Sequence, residues 1–214
     1  MTQMIFNTIG SNAEKEFGDA LSSTDAISQI FVFTGPVGAG RHTIAEMIRS
    51  THGMQRVPAY TTRQRRSGEA EGQDAYFIRP AEFFQAQQKE QFLEISEING
   101  DLYGIKYQDI EQMRLEGNIC LILDRDGTEK LKEIYGEYVV RIFVYAERNE
   151  QMRRLSCLGW SKEEIERQLS NYGHELVYKE QCEFKVENED LAHTLYDLAR
   201  SLDRILQRNL IELD

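Results

Sequence analysis

Apolar runs of strand length alternate along this chain with stretches of helical period. Residues 29–34 (QIFVFT), 119–123 (ICLIL) and 139–145 (VVRIFVY) are rich in β-branched and aromatic side chains and read as buried strands. Ile44, Met47 and Ile48 stand at i, i+3 and i+4, an amphipathic helix after the first run. Residues 127–135 and 149–158 have helical period. A capping box, Ser161 with Glu164, opens another helix to about residue 177, and Leu191, Leu195, Leu198, Leu202 and Leu206 mark a long closing helix. Residues 182–186 read as a further strand. Buried strands joined by helices predict a parallel sheet. Residues 56–105 break this pattern. Segments 56–59, 75–78, 92–97 and 102–105 predict short strands, with one helix opening at Pro80, where a first turn tolerates proline. Residues 1–28 predict an extension carrying one short helix over 13–21.

Composition narrows the class. Ten Tyr and ten Phe in 214 residues exclude a disordered chain. No run approaches the ~18 apolar residues of a membrane span, and the first basic residue, Lys15, argues against a secretory leader. Cys120, Cys157 and Cys182 have no paired spacing. They fit free thiols, core or half-buried, in a reducing cytoplasm and argue against structural zinc, so no metal site is expected from the chain itself. His52, His174 and His193 are isolated and read as surface or helix-face residues. The net charge of −11 makes DNA an unlikely partner. A phosphorylated ligand therefore requires a local cationic pocket.

Two segments offer one. The first strand runs into Gly35-Pro-Val-Gly38-Ala-Gly40, then a helix. Such a turn aims backbone N–H groups and a helix N-terminus at phosphate. The full motif ends in Gly-Lys-Ser/Thr, whereas this turn ends in Gly40-Arg41-His42, followed by Thr43. Arg41 keeps the charge as a planar fork, and His42 has no hydroxyl. The readings are a phosphate cradle without efficient catalysis, or an ordinary tight turn. The second segment, Arg63-Gln-Arg65-Arg66, places guanidinium forks on a loop between strands, where they suit a phosphate oxyanion or, taken alone, form a solvated charged loop.

At this point the chain resembles the guanylate kinase family. Thr61-Thr62-Arg63, Arg66, Gly68-Glu69, Gly72, Asp74 and Phe77 are similar to the family pattern TTRxxRxGExxGxDYxF. Phe92-Leu93-Glu94 with Gly100, Tyr103 and Gly104, the segment 121–126 and the segment 186–191 continue the likeness in order over about residues 29–205. The resemblance implies an α/β fold of the P-loop nucleoside-monophosphate-kinase type, with a parallel core sheet covered by helices on both faces. The implied parts are a core of residues 29–55, 106–148 and 179–214, a β-rich nucleotide-monophosphate subdomain of 56–105 and a helical lid of 149–178. The implied partners are ATP and GMP, with Mg²⁺ carried by ATP. No membrane is implied, and a protein partner is possible without being indicated.

Carried over by position, Arg63, Arg66 and Tyr103 would grip the GMP phosphate, Glu94 would accept from the guanine edge, and Asp126 would be a second carboxylate near the base. Asp124 would stand beside the metal, Arg154 would close from the lid, and Asn188 would lie on the adenine side. Gly35, Gly38, Gly40, Arg41, His42 and Thr43 would hold the ATP phosphates, with Arg41, Arg154 and Asp124 as the catalytic set. A carboxylate suits guanine because N1–H and N2–H both donate. The departures are Ala59, Ala75 and Ile105 in place of hydroxyl-bearing residues, Tyr76 one place late, Leu158 in place of a lid arginine, and Gln168, beside Arg167, in place of another. Three functions fit: a slow ATP:GMP phosphotransferase, a weak or inactive module that binds GMP or another phospholigand, and a kinase for a different monophosphate.

Overall fold

The computed structural model describes residues 28–98 and 100–211, so the expected helix over 13–21 lies outside the described residues. Strands β1 (Ile30–Thr34), β2 (Gln55–Arg56), β7 (Ile119–Ile122), β8 (Val139–Tyr145) and β9 (Phe184–Glu187) form one parallel sheet in the order β2-β7-β1-β8-β9. Strands β3 (Ala59–Thr61), β4 (Ala75–Phe77), β5 (Phe92–Ile98) and β6 (Asp101–Lys106) form a second, in the order β4-β3-β6-β5. Helices α1 (Arg41–Thr51), α2 (Pro80–Gln88), α3 (Tyr107–Arg114), α4 (Arg125–Tyr135), α5 (Arg148–Cys157), α6 (Lys162–Gln168), α7 (Tyr172–Tyr178) and α8 (Leu191–Ile211), with 3-10 turns at Gly136–Tyr138 and Lys179–Gln181, complete the described elements.

Alternation along β1 builds two cores at once. Phe31 and Phe33 pack with Ile44, Ile48, Leu198 and Leu202 under α1 and α8. Ile30 and Val32 pack with Ile110, Leu121 and Leu131 under α3 and α4. Each fully buried side chain of this size contributes about 1.5–3 kcal/mol of transfer free energy. The central strand β1 is thus fixed on both faces, and the turn that follows it rests on a rigid base.

Three elements differ from the sequence expectation. The run over 56–59 is divided between sheets: Arg56 pairs with Cys120 in the core, Ala59 pairs with Ala75 in the second sheet, and buried Pro58 stands at the crossing. The helix α3 was not anticipated, because one apolar position, Ile110, is all that it buries. The helix expected over 161–177 is two helices. Its capping box is present, with Ser161 N–H donating to Glu164 Oε2 at 2.8 Å. The break follows at Leu169–Asn171, where the Ser170 hydroxyl bonds the Arg167 carbonyl at 2.8 Å and competes with the helical ladder. One side chain is also placed differently, and another is tied down. His52 is half-buried at the end of α1, its Nδ1 on the Ile48 carbonyl at 3.0 Å and its Nε2 3.3 Å from Asp203, so it ties α1 to α8. Cys157 is exposed, while Cys120 and Cys182 are buried.

Candidate active site

The turn after β1 has the left-handed backbone that its glycines predict, with φ of 130° at Gly35, 79° at Gly38 and 90° at Gly40. At Gly35 the requirement is steric as well, since a Cβ there would lie 2.1 Å from the Val144 carbonyl oxygen. Arg41 is the first residue of α1. Its Nη1 donates to the carbonyls of Gly35 (2.9 Å) and Leu123 (3.5 Å), so the fork is turned onto backbone oxygens. Burial lowers its pKa, against the opposing charges of Glu94, Glu175 and Asp124. His42 and Thr43 lie on the exposed side of the helix. Partial desolvation, with Arg41 and Arg56 nearby, holds the His42 pKa below its ordinary value.

A cavity of about 300 Å³ opens beside the turn, lined by Thr34, Gly35, Arg41, Asp124, Asp126 and Glu175, among others. Asp124 caps α4, its Oδ1 accepting from Gly127 N–H at 2.9 Å. Glu94 lies next to it, with Oε2 accepting from Asp124 N–H at 3.3 Å. Burial, then the neighbouring Asp124, pushes the Glu94 carboxyl up to about 7. The carboxylate rests on the Cα of Gly127, where a Cβ would fall 1.9 Å from Oε2. Gly127→Ala is therefore expected to displace Glu94 and, if Glu94 meets GMP as the resemblance implies, to weaken GMP binding about tenfold or more, with a much smaller loss in thermal stability. Parallel GMP titration and thermal melts of both proteins check it.

The second sheet carries the other cations. Arg63 Nη1 and Nη2 meet Glu69 at 3.0 and 2.8 Å, and its Nε donates to Tyr103 Oη at 3.3 Å. Those bonds hold the Glu69 carboxyl down to about 2. The fork of Arg63 is thus filled by an internal carboxylate, a partner that the sequence motif contained but that the candidate set had omitted. Arg66 gives its backbone N–H to the same Glu69 (2.7 Å) and leaves its side chain exposed. Cross-strand pairs Thr61 with Tyr103 and Glu94 with Ile105 put these residues on one face, shared by Ala59 and Ala75. Tyr76 is on the opposite face, stacked on Tyr60 at 4.6 Å. The face between the Arg63 cluster and Glu94 is consequently apolar at Ala59, Ala75 and Ile105.

Arg154 and Asn188 sit on the far side of the turn. Asn188 Nδ2 and Arg154 Nη1 both donate to the Ala39 carbonyl, at 2.8 and 3.2 Å, and Arg154 Nη2 donates to Asn188 O at 2.7 Å. Glu150 takes Arg154 Nε at 2.8 Å. Arg154 therefore braces the loop and does not line the cavity. Of the residues expected in a lid, Gln168 lines the cavity and Arg167 does not, while Leu158 is exposed. Glu175 and Tyr178, which line it too, were missed; the signal available was the shared helical face of Tyr172, Glu175 and Tyr178. A larger cleft of about 570 Å³, between α1, β2 and residues 72–76, contains none of the candidate residues.

Comparison with known proteins identifies the family. A family model described as guanylate kinase matches residues 27–205. A guanylate kinase of Anaplasma phagocytophilum is 29% identical over 174 residues, covering 79% of this chain and 83% of that protein. One from Wolbachia of Brugia malayi is 31% identical over 180 residues, covering 82% and 92%. The crystal structure of guanylate kinase from Anaplasma phagocytophilum superposes with a TM-score of 0.62 at 26% identity, covering 83% of this chain and 86% of that one.

Proposed function

Because the chain belongs to the guanylate kinase family, we propose that it binds GMP and ATP in the cytoplasm and transfers the γ-phosphate of ATP to GMP, slowly, through a phosphate loop weakened at Arg41 and His42. The observation that carries this reading is one sheet face with Tyr103, met by Arg63 from the loop after β3, at one place and Glu94, beside Asp124, at another. Guanidinium forks take the monophosphate, and Glu94, ionised, accepts from N1–H and N2–H of guanine. An oxygen of the GMP phosphate then attacks the γ-phosphorus, the bond to the β-phosphate oxygen breaks, and ADP and GDP leave. The protein's part is placement and charge neutralisation.

Mg²⁺ travelling with ATP keeps several waters and takes few protein ligands. Of the oxygen donors that line the cavity, Asp126 and Glu175 included, Asp124, with one oxygen already on Gly127 N–H, and Thr34 would hold it. When bound, Mg²⁺ neutralises charge on the β- and γ-phosphate oxygens. The weakness lies in Arg41 and the lid. Arg41 is engaged by carbonyls, and Leu158 and Gln168 carry no charge.

The same engagement of Arg41 favours a second reading, a module that binds GMP without turnover. Incubation with Mg-ATP and each nucleoside monophosphate, with ADP release and thermal shift read together, separates the two. The proposed function requires ADP release with GMP. Stabilisation by GMP without ADP supports the silent module, and ADP released only with another monophosphate assigns a different substrate, a result for which the apolar Ala59, Ala75 and Ile105 leave room.

A further inference from the structure

Two guanidinium groups line the cavity beside the glycine turn, those of Arg41 and Arg125. Arg41 is turned onto the carbonyls of Gly35 and Leu123. Arg125, the first residue of α4, is exposed and makes no side-chain hydrogen bond or ion pair among the described residues. Its guanidinium lies over the ring of Tyr178, with Cζ 5.1 Å from the ring centre. That ring is held from three sides: Tyr178 is fully buried, meets Phe143 edge-on, and donates its hydroxyl to the Glu129 carboxylate. A ring face holds a guanidinium through its π electrons and engages none of the five N–H donors. Arg125 is thus both placed and unengaged, in the cavity that Gly35 also lines. The remaining charged groups of that lining are the carboxylates of Asp124, Asp126 and Glu175, which repel phosphate oxygens. The terminal phosphate of a triphosphate seated there meets one free cation among the described residues, Arg125.

We propose that Arg125 is a further substrate-contacting residue, whose fork takes oxygens of the γ-phosphate of ATP and supplies, from the start of α4, the charge that Arg41, Leu158 and Gln168 do not. The proposal rests on the kinase reading of the site. Arg125 gives and takes no proton. The γ-phosphoryl group passes from the β-phosphate oxygen to an oxygen of the GMP phosphate, and the Arg125 N–H donors stay on its three equatorial oxygens, over which the transition-state charge is spread.

Calorimetric titration with Mg-ATP and with Mg-ADP, GMP absent so that no transfer occurs, isolates the γ-phosphate. In Arg125→Met the affinity for Mg-ATP is expected to fall about tenfold while that for Mg-ADP stays as in the parent, the scale of one charge-assisted contact. Arg125→Lys, a charge without the fork, is expected to lie between. With GMP present, kcat of Arg125→Met is expected to fall about 10²-fold. A purely structural arginine, acting by packing on Tyr178, would lower the melting temperature and change the two affinities alike. A ratio of Mg-ATP to Mg-ADP affinity equal to the parent's in folded Arg125→Met, or in Arg125→Gln should the first variant not fold, overturns the proposal, as does a parent that binds neither nucleotide. If the affinities part as expected but the parent releases no ADP with GMP, the kinase reading fails and the γ-phosphate contact stands.

Discussion

Restoring lysine at Arg41 and serine at His42 together is expected to raise ATP:GMP phosphotransfer by about 10²-fold or more, the scale on which one charged or donor group at a phosphoryl-transfer site acts. The reason is geometric. The Arg41 fork reaches back to the Gly35 and Leu123 carbonyls, a posture that a planar, multiply donating group adopts more readily than a compact ammonium. A lysine there has a flexible stem and one charge centre that can follow the β- and γ-phosphates. A serine at 42 returns a hydroxyl next to the metal-bearing phosphates. Initial rates at saturating GMP, with ATP varied, measure the gain. A variant no faster than the parent places the deficit at Leu158 and Gln168 or in the apolar monophosphate pocket.

Glu94→Gln is expected to cost about 10²-fold in GMP affinity and to flatten its pH dependence. A glutamine offers one acceptor and one donor to a base edge that presents two donors, so one buried N–H is left facing another. In the parent protein the Glu94 carboxyl stands at about 7, raised by burial and by Asp124 and opposed by Arg41. The carboxylate is the form that accepts, so GMP affinity rises with pH up to about 7 and levels above it. The sign for stability is the reverse of the common carboxylate case. The folded state keeps a proton that the unfolded chain releases between its ordinary value of 4.5 and about 7, so Glu94 favours folding below that window and the advantage fades as pH climbs through it. Calorimetric titration of GMP from pH 5.5 to 8.5 on both proteins gives the affinities directly.

The parts of the molecule that strand period and glycine geometry dictate could be read from the residues. The order of β1, the glycine turn and α1 followed from a six-residue apolar run ending in Gly35, Gly38 and Gly40. The displacement of Tyr76 to the face opposite Ala75 followed from a period of two. What the residues concealed depends on how the folded chain brings side chains together. Arg63 was legible as a cation, but the carboxylate that fills its fork is seen only when the loop closes on itself at Glu69. Arg154 was legible as a lid arginine, yet Ala39 and Asn188 take its donors from elements more than 30 residues away on either side. Glu175 was hidden because one long helix was expected over 161–177, and a helix without the break at Leu169–Asn171 gives its C-terminal turns a different direction.

The most direct measurement is a crystal structure of the protein with GMP. The expected result has the monophosphate among Arg63, Arg66 and Tyr103, Glu69 yielding part of the Arg63 fork, and the guanine N1–H and N2–H on Glu94. GMP seated in the larger cleft beside Arg49 and Arg56, or a phosphate that leaves the Arg63–Glu69 pair and Arg66 untouched, would contradict it.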